Sequence, residues 1–243
     1  MDKILKLQDV SFSYGDKLIV DSVSLDIQHG EIVTIVGPSG CGKSTLLRLI
    51  SRLETPQLGN IKINQVGKEQ TTLRYLFQDY DAFPWDTVWD NVKMAVPNKT
   101  VSDDEVESIL NKLGILESRN KYPKELSVGM RKRLGLARCL IAKPTLLLLD
   151  EPFAALDVDT KLETYSILQS LQQEYGQTII MITHDLQEAV LLGGKIIIST
   201  KLPFKISSVV NIPFGYPRTD KLYSETIFQE LTNQVRKGIS YNI

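Results

Sequence analysis

A glycine-rich segment between a buried strand and a helix constrains this chain more than any other feature. Residues 37–45 read GPSGCGKST; they directly follow the apolar run Ile32–Val36 and precede the helix-like run LLRLI. The pattern GxxxxGK[ST], in this strand-to-helix context, is typical of a loop whose backbone N–H groups cradle phosphates. The N-terminus of the following helix adds the positive end of its dipole. The sequence therefore predicts a nucleoside triphosphate site in an α/β fold.

The residue types of this segment suit a phosphate site. Gly37, Gly40 and Gly42 allow backbone angles and close approaches that a Cβ would obstruct. We predict that Lys43 contacts the β- and γ-phosphates and that Ser44 ligates Mg²⁺, an ion that prefers oxygen ligands. A glycine-rich turn that matches the pattern by chance is the alternative, and the flanking strand and helix weigh against it. The rest of the predicted phosphate-binding set is Pro38, Ser39, Cys41 and Thr45.

A second, acidic element indicates what happens to the bound nucleotide. Residues 146–149 are leucines, a run too short to span a membrane and typical of a central strand buried on both faces. Asp150 and Glu151 follow at the carboxyl end of this strand, where open α/β sheets bind ligands. We predict that Asp150 holds the hydration shell of Mg²⁺ and that Glu151 is the catalytic residue that polarises the attacking water. Without the phosphate loop, a solvated acidic turn would be the favoured interpretation.

Four further segments of the sequence each contain a candidate functional residue. They are SFSYG with Tyr14, LFQ with Gln78, AALD with Asp157 and MITHD with His184. Together with the phosphate loop and the acidic strand, they resemble the ATP-binding subunits of ABC transporters over nearly the whole chain. The resemblance implies that Tyr14 stacks on adenine and that Gln78 senses Mg²⁺ and links the site to the membrane subunits. It also implies that Asp157 lies in a dimer loop and that His184 acts in catalysis.

Some of these residues also have a plainer interpretation. A lone tyrosine on a strand, such as Tyr14, is more often half-buried packing. A lone histidine is usually structural, but His184 follows the apolar strand of residues 178–182 and so belongs at the same edge of the sheet as the acidic pair. His29 precedes a glycine in a turn, and we interpret it as a surface residue.

The segment LSVGM at residues 126–130 departs from the usual family pattern LSGGQ. Ser127 is a good N-cap for the amphipathic run that follows. The resemblance implies head-to-tail pairing of two subunits, in which Ser127, Val128 and Gly129 face the γ-phosphate held by the other subunit. The branched side chain of Val128 costs little unless the backbone needs a positive φ. The sequence leaves open whether Val128 slows the closure of the two subunits or the turnover of ATP.

Two stretches narrow the resemblance to importers of nitrate, sulfonates and taurine. MRKR is similar to their MRQR variant, and FPWDTVWDNV resembles their (F/L)PW-x-TV-x-(D/E)NV segment. The resemblance implies an ATPase, paired as a homodimer or with a related subunit, that drives solute import through transmembrane permease subunits. An extracytoplasmic solute-binding protein is then an indirect partner. Phe83 and Trp85 either dock the permease or pack internally, and the sequence leaves this choice open.

The predicted fold class is α/β, a P-loop NTPase core of RecA type with an N-terminal antiparallel β-subdomain and an inserted helical subdomain. The resemblance implies one ABC ATPase domain over residues 1–243. Its expected parts are a nucleotide-binding core with the β-subdomain at 1–85 and 143–205, a helical signature subdomain at 86–142, and a C-terminal strand and helix at 206–243. Periodicity predicts strands at 4–10, 19–27, 32–36, 60–64, 73–77 and 178–182, and helices at 103–113 and 220–237.

The net charge and the hydropathy of the chain limit the kinds of partner that we expect. The formal net charge is −1, so no basic field attracts nucleic acid over long range. No apolar run approaches the roughly 18 residues of a spanning helix. The N-terminus lacks a signal-peptide core, so we expect a peripheral protein at the cytoplasmic face of the cell membrane. Cys41 and Cys139 lack the spacing of a metal site; we expect Cys139 to be a buried hydrophobe and Cys41 to react with oxidants if the pocket is open.

Other functions stay open at this point. ABC ATPases outside transport usually carry paired ATPase units, coiled coils or basic extensions, which do not appear here. A P-loop kinase does not explain why the signature, Asp157 and His184 arrive in this order. An exporter subunit is disfavoured only by the FPW and MRKR stretches. A binding module with decayed hydrolysis is disfavoured by Lys43, Glu151 and His184, while Val128 keeps it open.

Overall fold

The computed structural model of this chain describes residues 2–65, 71–78, 82–96, 101–154 and 156–240. The strands are β1 Lys3–Tyr14, β2 Lys17–Gln28, β3 Ile32–Val36, β4 Leu58–Ile63, β5 Leu73–Leu76, β6 Leu146–Asp150, β7 Thr178–Ile182, β8 Lys195–Ser199 and β9 Ile206–Asn211. The helices are α1 Lys43–Ile50, α2 Val88–Lys93, α3 Asp103–Lys112, α4 Val128–Leu140, α5 Val158–Tyr175, α6 Leu186–Leu192 and α7 Thr226–Ser240. None of the described helices combines the length and the hydropathy that crossing a bilayer requires.

A largely parallel sheet forms the centre of the fold. Within the described ranges its six strands run in the order β5-β6-β7-β3-β8-β9, and β9 pairs antiparallel with β8. Every residue of β3, β6 and β7 is buried, which confirms the predicted central strands. Leu147 and Leu149 face one hydrophobic cluster, while Leu146 and Leu148 face another. A sheet covered on both faces explains why the sequence shows continuous apolar runs here.

The register of the parallel strands decides which loops meet. Leu148 of β6 pairs with Ile180 of β7, and Ile180 also pairs with Val33 of β3. Because parallel neighbours end at the same edge of a sheet, the loops that follow these strands lie side by side. They are the loops that carry the glycine-rich segment, the acidic pair and the predicted histidine.

A smaller antiparallel sheet, in the order β2-β1-β4, packs on one face of the central sheet. Leu5 of β1 pairs with Ile27 of β2, and both are completely buried. They share a hydrophobic cluster with Leu46 of α1 and Leu148 of β6. The predicted strands are confirmed, and the first two run further than expected because they continue to a tight turn at Gly15.

The segment from α2 to α4 is mainly helical, as the sequence predicts, and its helices pack on one another. Helix α3 begins at a capping box in which the side chains of Ser102 and Glu105 each accept a hydrogen bond from the backbone N–H of the other. Leu113 caps its C-terminus, and Gly114 follows with a φ of +62°. The predicted bounds of α3 therefore hold to within one residue, while the exact division of the chain into subdomains stays a prediction.

The expected single helix over residues 220–237 is wrong at its start. Asp220–Ser224 form a 3₁₀ turn, Glu225 has extended backbone with a ψ of 132°, and α7 begins only at Thr226. An extended residue cannot continue the hydrogen-bond ladder of a helix, so the turn and α7 are separate elements.

Arg218 holds the chain just before this turn. Its guanidinium is buried and donates to the carbonyl oxygens of Val190 at 3.0 Å, Gly193 at 2.8 Å and Phe214 at 2.6 Å. The ring of Tyr216 lies 4.2 Å from the guanidinium carbon. Because a cation is favourable at the C-terminus of a helix, these contacts fix the end of α6 and the path of the segment that follows β9.

Candidate active site

The glycine-rich loop between β3 and α1 has the backbone shape of a phosphate cradle. Gly40 and Gly42 have φ angles of +71° and +107°, which other residues rarely adopt. A Cβ at Gly37 would lie 1.9 Å from the Oγ of Ser199, so only glycine fits there. Helix α1 begins at Lys43 with no capping side chain among the described residues and no acidic residue in its first turn. Its first N–H groups therefore remain available to an anion.

Lys43 is buried, and its ammonium group lies inside the loop. The Nζ donates to the carbonyl oxygens of Gly37 at 3.0 Å and Pro38 at 2.8 Å. These partners are neutral, so they orient the ammonium without cancelling its charge. The charge remains available to a phosphate that enters the loop.

The two cysteines are both buried. The Sγ of Cys41 packs into the core beneath the loop, 3.2 Å from the Oγ of Ser199. We expect Cys41 to react with oxidants only if the pocket around its thiol is open, and its burial means that this condition is not met. Burial raises the pKa of Cys139 to about 12, and this residue is the buried hydrophobe that the sequence predicts.

Asp150 presents its two carboxylate oxygens differently. The Oδ2 accepts a hydrogen bond from the phenol of Tyr75 at 3.3 Å, whereas the Oδ1 is buried and has no hydrogen-bond partner among the described residues. Burial raises the pKa of Asp150, against the opposing effect of the hydroxyl groups of Ser44 and Tyr75. A divalent cation would satisfy the orphaned oxygen and offset the cost of burying the charge. The oxygens of Ser44 and Asp150 therefore fit Mg²⁺.

Glu151 contacts two other predicted site residues. Its Oε2 lies 3.5 Å from the Nε2 of Gln78 and 3.5 Å from the Nδ1 of His184. Its backbone has a φ of +49°, and its N–H donates to the carbonyl oxygen of Ile182 on β7. Residues held in such a sparsely populated conformation cluster at functional sites. The structure thus brings Gln78, Glu151 and His184 together, with His184 largely exposed.

Two open clefts adjoin at these residues. The first has a volume of about 390 Å³ and is lined by Ile19, Ser39, Gly40, Gly42, Lys43, Ser44, Thr45, Gln78 and Glu151. The second has a volume of about 340 Å³ and is lined by Tyr14, Ser44, Thr45, Arg48, Tyr75, Phe77, Gln78 and Asp150. The clefts share Ser44, Thr45 and Gln78, so the predicted phosphate-binding and metal-binding residues lie where the clefts meet.

Tyr14 opens onto the second cleft and not onto the first. Its ring is 43% exposed and packs edge-on against Phe12, and its hydroxyl donates to the carboxylate of Glu54 at 2.9 Å. The exposed ring is a surface on which a planar base can stack. Its role as the adenine platform stays a prediction.

Arg48 and Tyr75 belong to the second cleft, and sequence reasoning missed both. Along β5 and the residue after it, Tyr75 and Phe77 share one face and their rings lie 4.1 Å apart, while Leu76 between them is buried. This alternation was the available signal. It places Tyr75 on the same face as Phe77, but it does not reveal the contact with Asp150.

The predicted signature residues Ser127, Val128 and Gly129 open helix α4. The Oγ of Ser127 caps this helix, as predicted, and accepts a hydrogen bond from the N–H three residues on at 3.2 Å. Val128 is helical, is 52% exposed and does not have a positive φ, so its branched side chain causes no backbone strain. Asp157 caps α5 by accepting from the N–H of Thr160, and this bond lowers its pKa. Within the described ranges, neither segment lines the clefts of its own chain.

The two aromatic rings of the FPW stretch stack with their centres 5.5 Å apart, but they differ in exposure. Trp85 is 70% exposed, whereas Phe83 is half-buried with the guanidinium of Arg138 lying 4.2 Å from its ring centre. The buried Asn91 holds the loop between them by donating to the carbonyl oxygens of Phe83 and Asp86 at 3.0 Å. Phe83 therefore packs internally, and Trp85 is a surface residue. Residues 79–81, between Gln78 and this stretch, lie outside the described residues.

A buried carboxylate supports the loop that carries His184. Glu188 of α6 is 3% exposed, and its Oε2 accepts a hydrogen bond from the phenol of Tyr165 at 2.9 Å. Asp185 caps α6 and accepts from the N–H of Glu188. Burial raises the pKa of Glu188 to about 7. A carboxyl group whose pKa is higher in the folded state destabilises the fold when it is ionised.

Comparisons with known proteins agree with this arrangement. The model of a family described as ABC transporter matches residues 20–154. The aliphatic sulfonates import ATP-binding protein SsuB 1 of Burkholderia lata is 41% identical over 238 residues, which are 98% of this chain and 72% of that protein. The SsuB protein of Burkholderia ambifaria is 42% identical over 212 residues, 87% of this chain and 65% of that protein. A dimeric, post-hydrolysis structure of the ATP-binding cassette MJ0796 with ADP and Pi has a TM-score of 0.74 at 28% identity and covers 87% of this chain and 100% of that one.

We expect Glu188→Gln to flatten the dependence of stability on pH. The native protein holds a proton on Glu188 that the unfolded chain has released between pH 4.5 and about 7, so the free energy of unfolding falls as the pH rises through this window. The shift corresponds to about 3 kcal/mol. Urea unfolding near pH 5 and near pH 8 should therefore differ by about 3 kcal/mol less in the variant. Glu230→Gln, on the exposed side of α7, is the control, and a wild-type pH dependence in Glu188→Gln contradicts the assignment.

Proposed function

This chain is an ATPase of the ABC transporter family, and we propose that it powers the import of small anionic solutes of the aliphatic sulfonate class through a membrane permease. The observation that carries the proposal is the convergence of the phosphate loop with Glu151 and His184 at one edge of the sheet. Import and the solute class are supported by the MRKR and FPW stretches and by the similarity to the Burkholderia proteins.

The phosphate loop and α1 supply the binding of the triphosphate. The free N–H groups at the start of α1 face the phosphates together with the positive end of the helix dipole. The ammonium of Lys43 exchanges its two carbonyl partners for phosphate oxygens. Ser44, Gln78 and Asp150 would hold Mg²⁺, which neutralises phosphate charge when it is bound. The exposed ring of Tyr14 offers the adenine a stacking surface.

Glu151 is the proposed general base. Its carboxylate accepts a proton from the attacking water, whose oxygen forms a bond to the γ-phosphorus while the bond from this phosphorus to the bridging oxygen of ADP breaks. His184 lies 3.5 Å from the carboxylate and orients it toward the first cleft, which Glu151 lines. The hydrogen bond from the N–H of Glu151 to Ile182 of β7 keeps the base in its strained conformation during this step.

A second ATPase subunit completes the site in this proposal, as a homodimer or as a heterodimer with a related subunit. Ser127, Val128 and Gly129 lie at the N-terminus of α4, whose first turn contains no acidic residue and therefore favours an anion. Asp157 caps α5 in the loop proposed to contact the partner. The dimeric state described for the MJ0796 cassette supports this pairing.

Trp85 and Gln78 mark the surface proposed for the permease. Trp85 is exposed on a loop whose shape is fixed by hydrogen bonds from Asn91. Its ring is therefore held at the surface, where a partner can contact it. The ammonium of Lys132 on α4 contacts the backbone oxygen of Gln78. A shift at this surface therefore reaches the signature helix directly. The chain would lie at the cytoplasmic face of the cell membrane, with the solute-binding protein as an indirect partner and no role in nucleic acid binding.

The proposed function is tested by solute uptake into vesicles. The chain is co-purified with its permease and reconstituted so that ATP is supplied on the side of the ATPase and the solute-binding protein on the other. We expect ATP-dependent accumulation of a radiolabelled alkanesulfonate, and its loss in a complex that carries Lys43→Ala. ATP-dependent loss of solute from loaded vesicles would identify an exporter, and no movement of the alkanesulfonate contradicts the solute class.

We expect Glu151→Gln to keep ATP binding and to lower ATP hydrolysis by about 10²–10⁴-fold, the usual contribution of a positioned general base. Glutamine preserves the shape of the side chain but cannot take the proton. Equilibrium binding and steady-state hydrolysis measure the two effects separately. Glu163→Gln, which changes an exposed carboxylate on α5, is the matched control and should hydrolyse ATP at the wild-type rate. Near-normal turnover in Glu151→Gln removes this residue from the mechanism.

We expect Trp85→Ala to weaken co-purification with the permease at least about tenfold and to leave the melting temperature of the free chain unchanged. The reason is that exposed aromatic anchors commonly dominate interfaces, whereas their removal opens no cavity in the core. Tyr175→Ala, at the exposed C-terminal end of α5, is the control for loss of a surface ring. A large fall in melting temperature, or unchanged co-purification, rejects Trp85 as a docking residue.

A further inference from the structure

Tyr75 contacts the carboxylate of Asp150 without belonging to any motif of the sequence. We propose that Tyr75 is a positioning residue for Asp150: its hydroxyl holds one carboxylate oxygen so that the other is presented to the divalent cation. This inference rests on the proposed function, because it requires Asp150 to be a ligand of the metal or of its hydration shell.

The geometry of neighbouring strands allows this contact. Tyr75 of β5 pairs in parallel register with Leu148 of β6, so Asp150 lies two residues further along the adjacent strand. The long phenol side chain reaches along the sheet and places its hydroxyl 3.3 Å from the Oδ2 of Asp150. The ring of Tyr75 also packs against the ring of Phe77, with ring centres 4.1 Å apart. The hydroxyl and the ring of Tyr75 therefore each have a partner.

The two oxygens of Asp150 are made unequal by this bond. The Oδ2 has a donor, while the buried Oδ1 has no hydrogen-bond partner in the described part of the chain. A buried acceptor without a partner costs about 1–3 kcal/mol, so the arrangement is favourable only if another group satisfies the oxygen. A carboxylate free to rotate would lose this distinction. With Tyr75 in place, one orientation of the carboxylate is selected before any cation binds.

A phenol suits this task better than a charged donor. An arginine or lysine at the same place would orient the carboxylate but would also cancel the charge that attracts Mg²⁺. A phenol donates a hydrogen bond without carrying a positive charge. The nearby cation, Arg48, lines the same cleft, and the hydroxyl of Tyr14 is the main cause of its raised pKa. The negative charge of Asp150 is thus oriented and not neutralised.

The position of Tyr75 also couples two proposed metal-binding residues. It lies three residues before Gln78 on the same strand and the segment that continues it. A displacement of this strand that moves Gln78 would stretch the bond to Asp150 as well. The two residues would therefore be positioned together, although they lie on different strands.

The test compares how strongly Mg²⁺ assists nucleotide binding. The dissociation constant of a non-hydrolysable ATP analogue is measured for the full chain in EDTA and in saturating Mg²⁺. The value in EDTA divided by the value in Mg²⁺ is the ratio that reports the contribution of the metal. We expect Tyr75→Phe to lower this ratio by about threefold to tenfold, the effect of one hydrogen bond, and to leave the value in EDTA unchanged. Asp150→Asn should lower the ratio further.

The control removes an equivalent hydroxyl elsewhere. Tyr216→Phe deletes a phenol that donates to the carbonyl oxygen of Leu192 at 2.6 Å, far from the metal-binding residues in the fold, and should leave the ratio unchanged. An unchanged ratio in Tyr75→Phe, with a lowered one in Asp150→Asn, overturns the role of Tyr75 and leaves the proposed function intact. Equal weakening of binding by Tyr75→Phe in EDTA and in Mg²⁺ also overturns it, because Tyr75 would then shape the nucleotide cleft. An unchanged ratio in Asp150→Asn instead rejects Asp150 as a metal ligand, and with it the role of Tyr75 as the residue that positions Asp150.

Discussion

The parallel pairing of β6 with β7 and of β7 with β3 is the constraint on which the rest of this structure depends. It aligns three strands that are buried on both faces, and it brings their carboxyl ends to one edge. The phosphate loop, the acidic pair and the loop with His184 leave the sheet at this edge. No single loop contains the site, so a change in the register of one strand would separate groups that lie 3.5 Å apart.

The site concentrates features that a stable fold usually avoids. Lys43 is a buried cation with neutral partners, Asp150 has a buried oxygen without a partner in the described residues, and Glu151 has a positive φ. Each is unfavourable in isolation, and each is held by surrounding rigid strands and helices. A triphosphate with a divalent cation would satisfy the charges of Lys43 and Asp150 together. The bound ligands would therefore offset the cost of burying these charged groups.

The sequence was sufficient to predict those parts of the fold that depend on local pattern. The glycine-rich loop, the buried strands, the capping of α4 by Ser127 and the extent of α3 follow from neighbouring residue types. The contact of Tyr75 with Asp150 joins residues 75 positions apart, and the contact of Arg218 with Val190 of α6 joins residues 28 positions apart, so no local pattern reveals them. The buried state of Cys41 was missed for a related reason, since the direction of a side chain in a loop depends on the sheet beneath it.

We propose that one edge of the sheet assembles a triphosphate site from these separate loops. A crystal structure of the wild-type chain with Mg²⁺ and a non-hydrolysable ATP analogue tests this assembly most directly. We expect phosphates enclosed by the loop from Gly37 to Lys43, the metal beside Ser44 and Asp150, and the carboxylate of Glu151 facing the γ-phosphate. An analogue bound elsewhere, or bound with its γ-phosphate remote from Glu151, would show that these loops do not form one site.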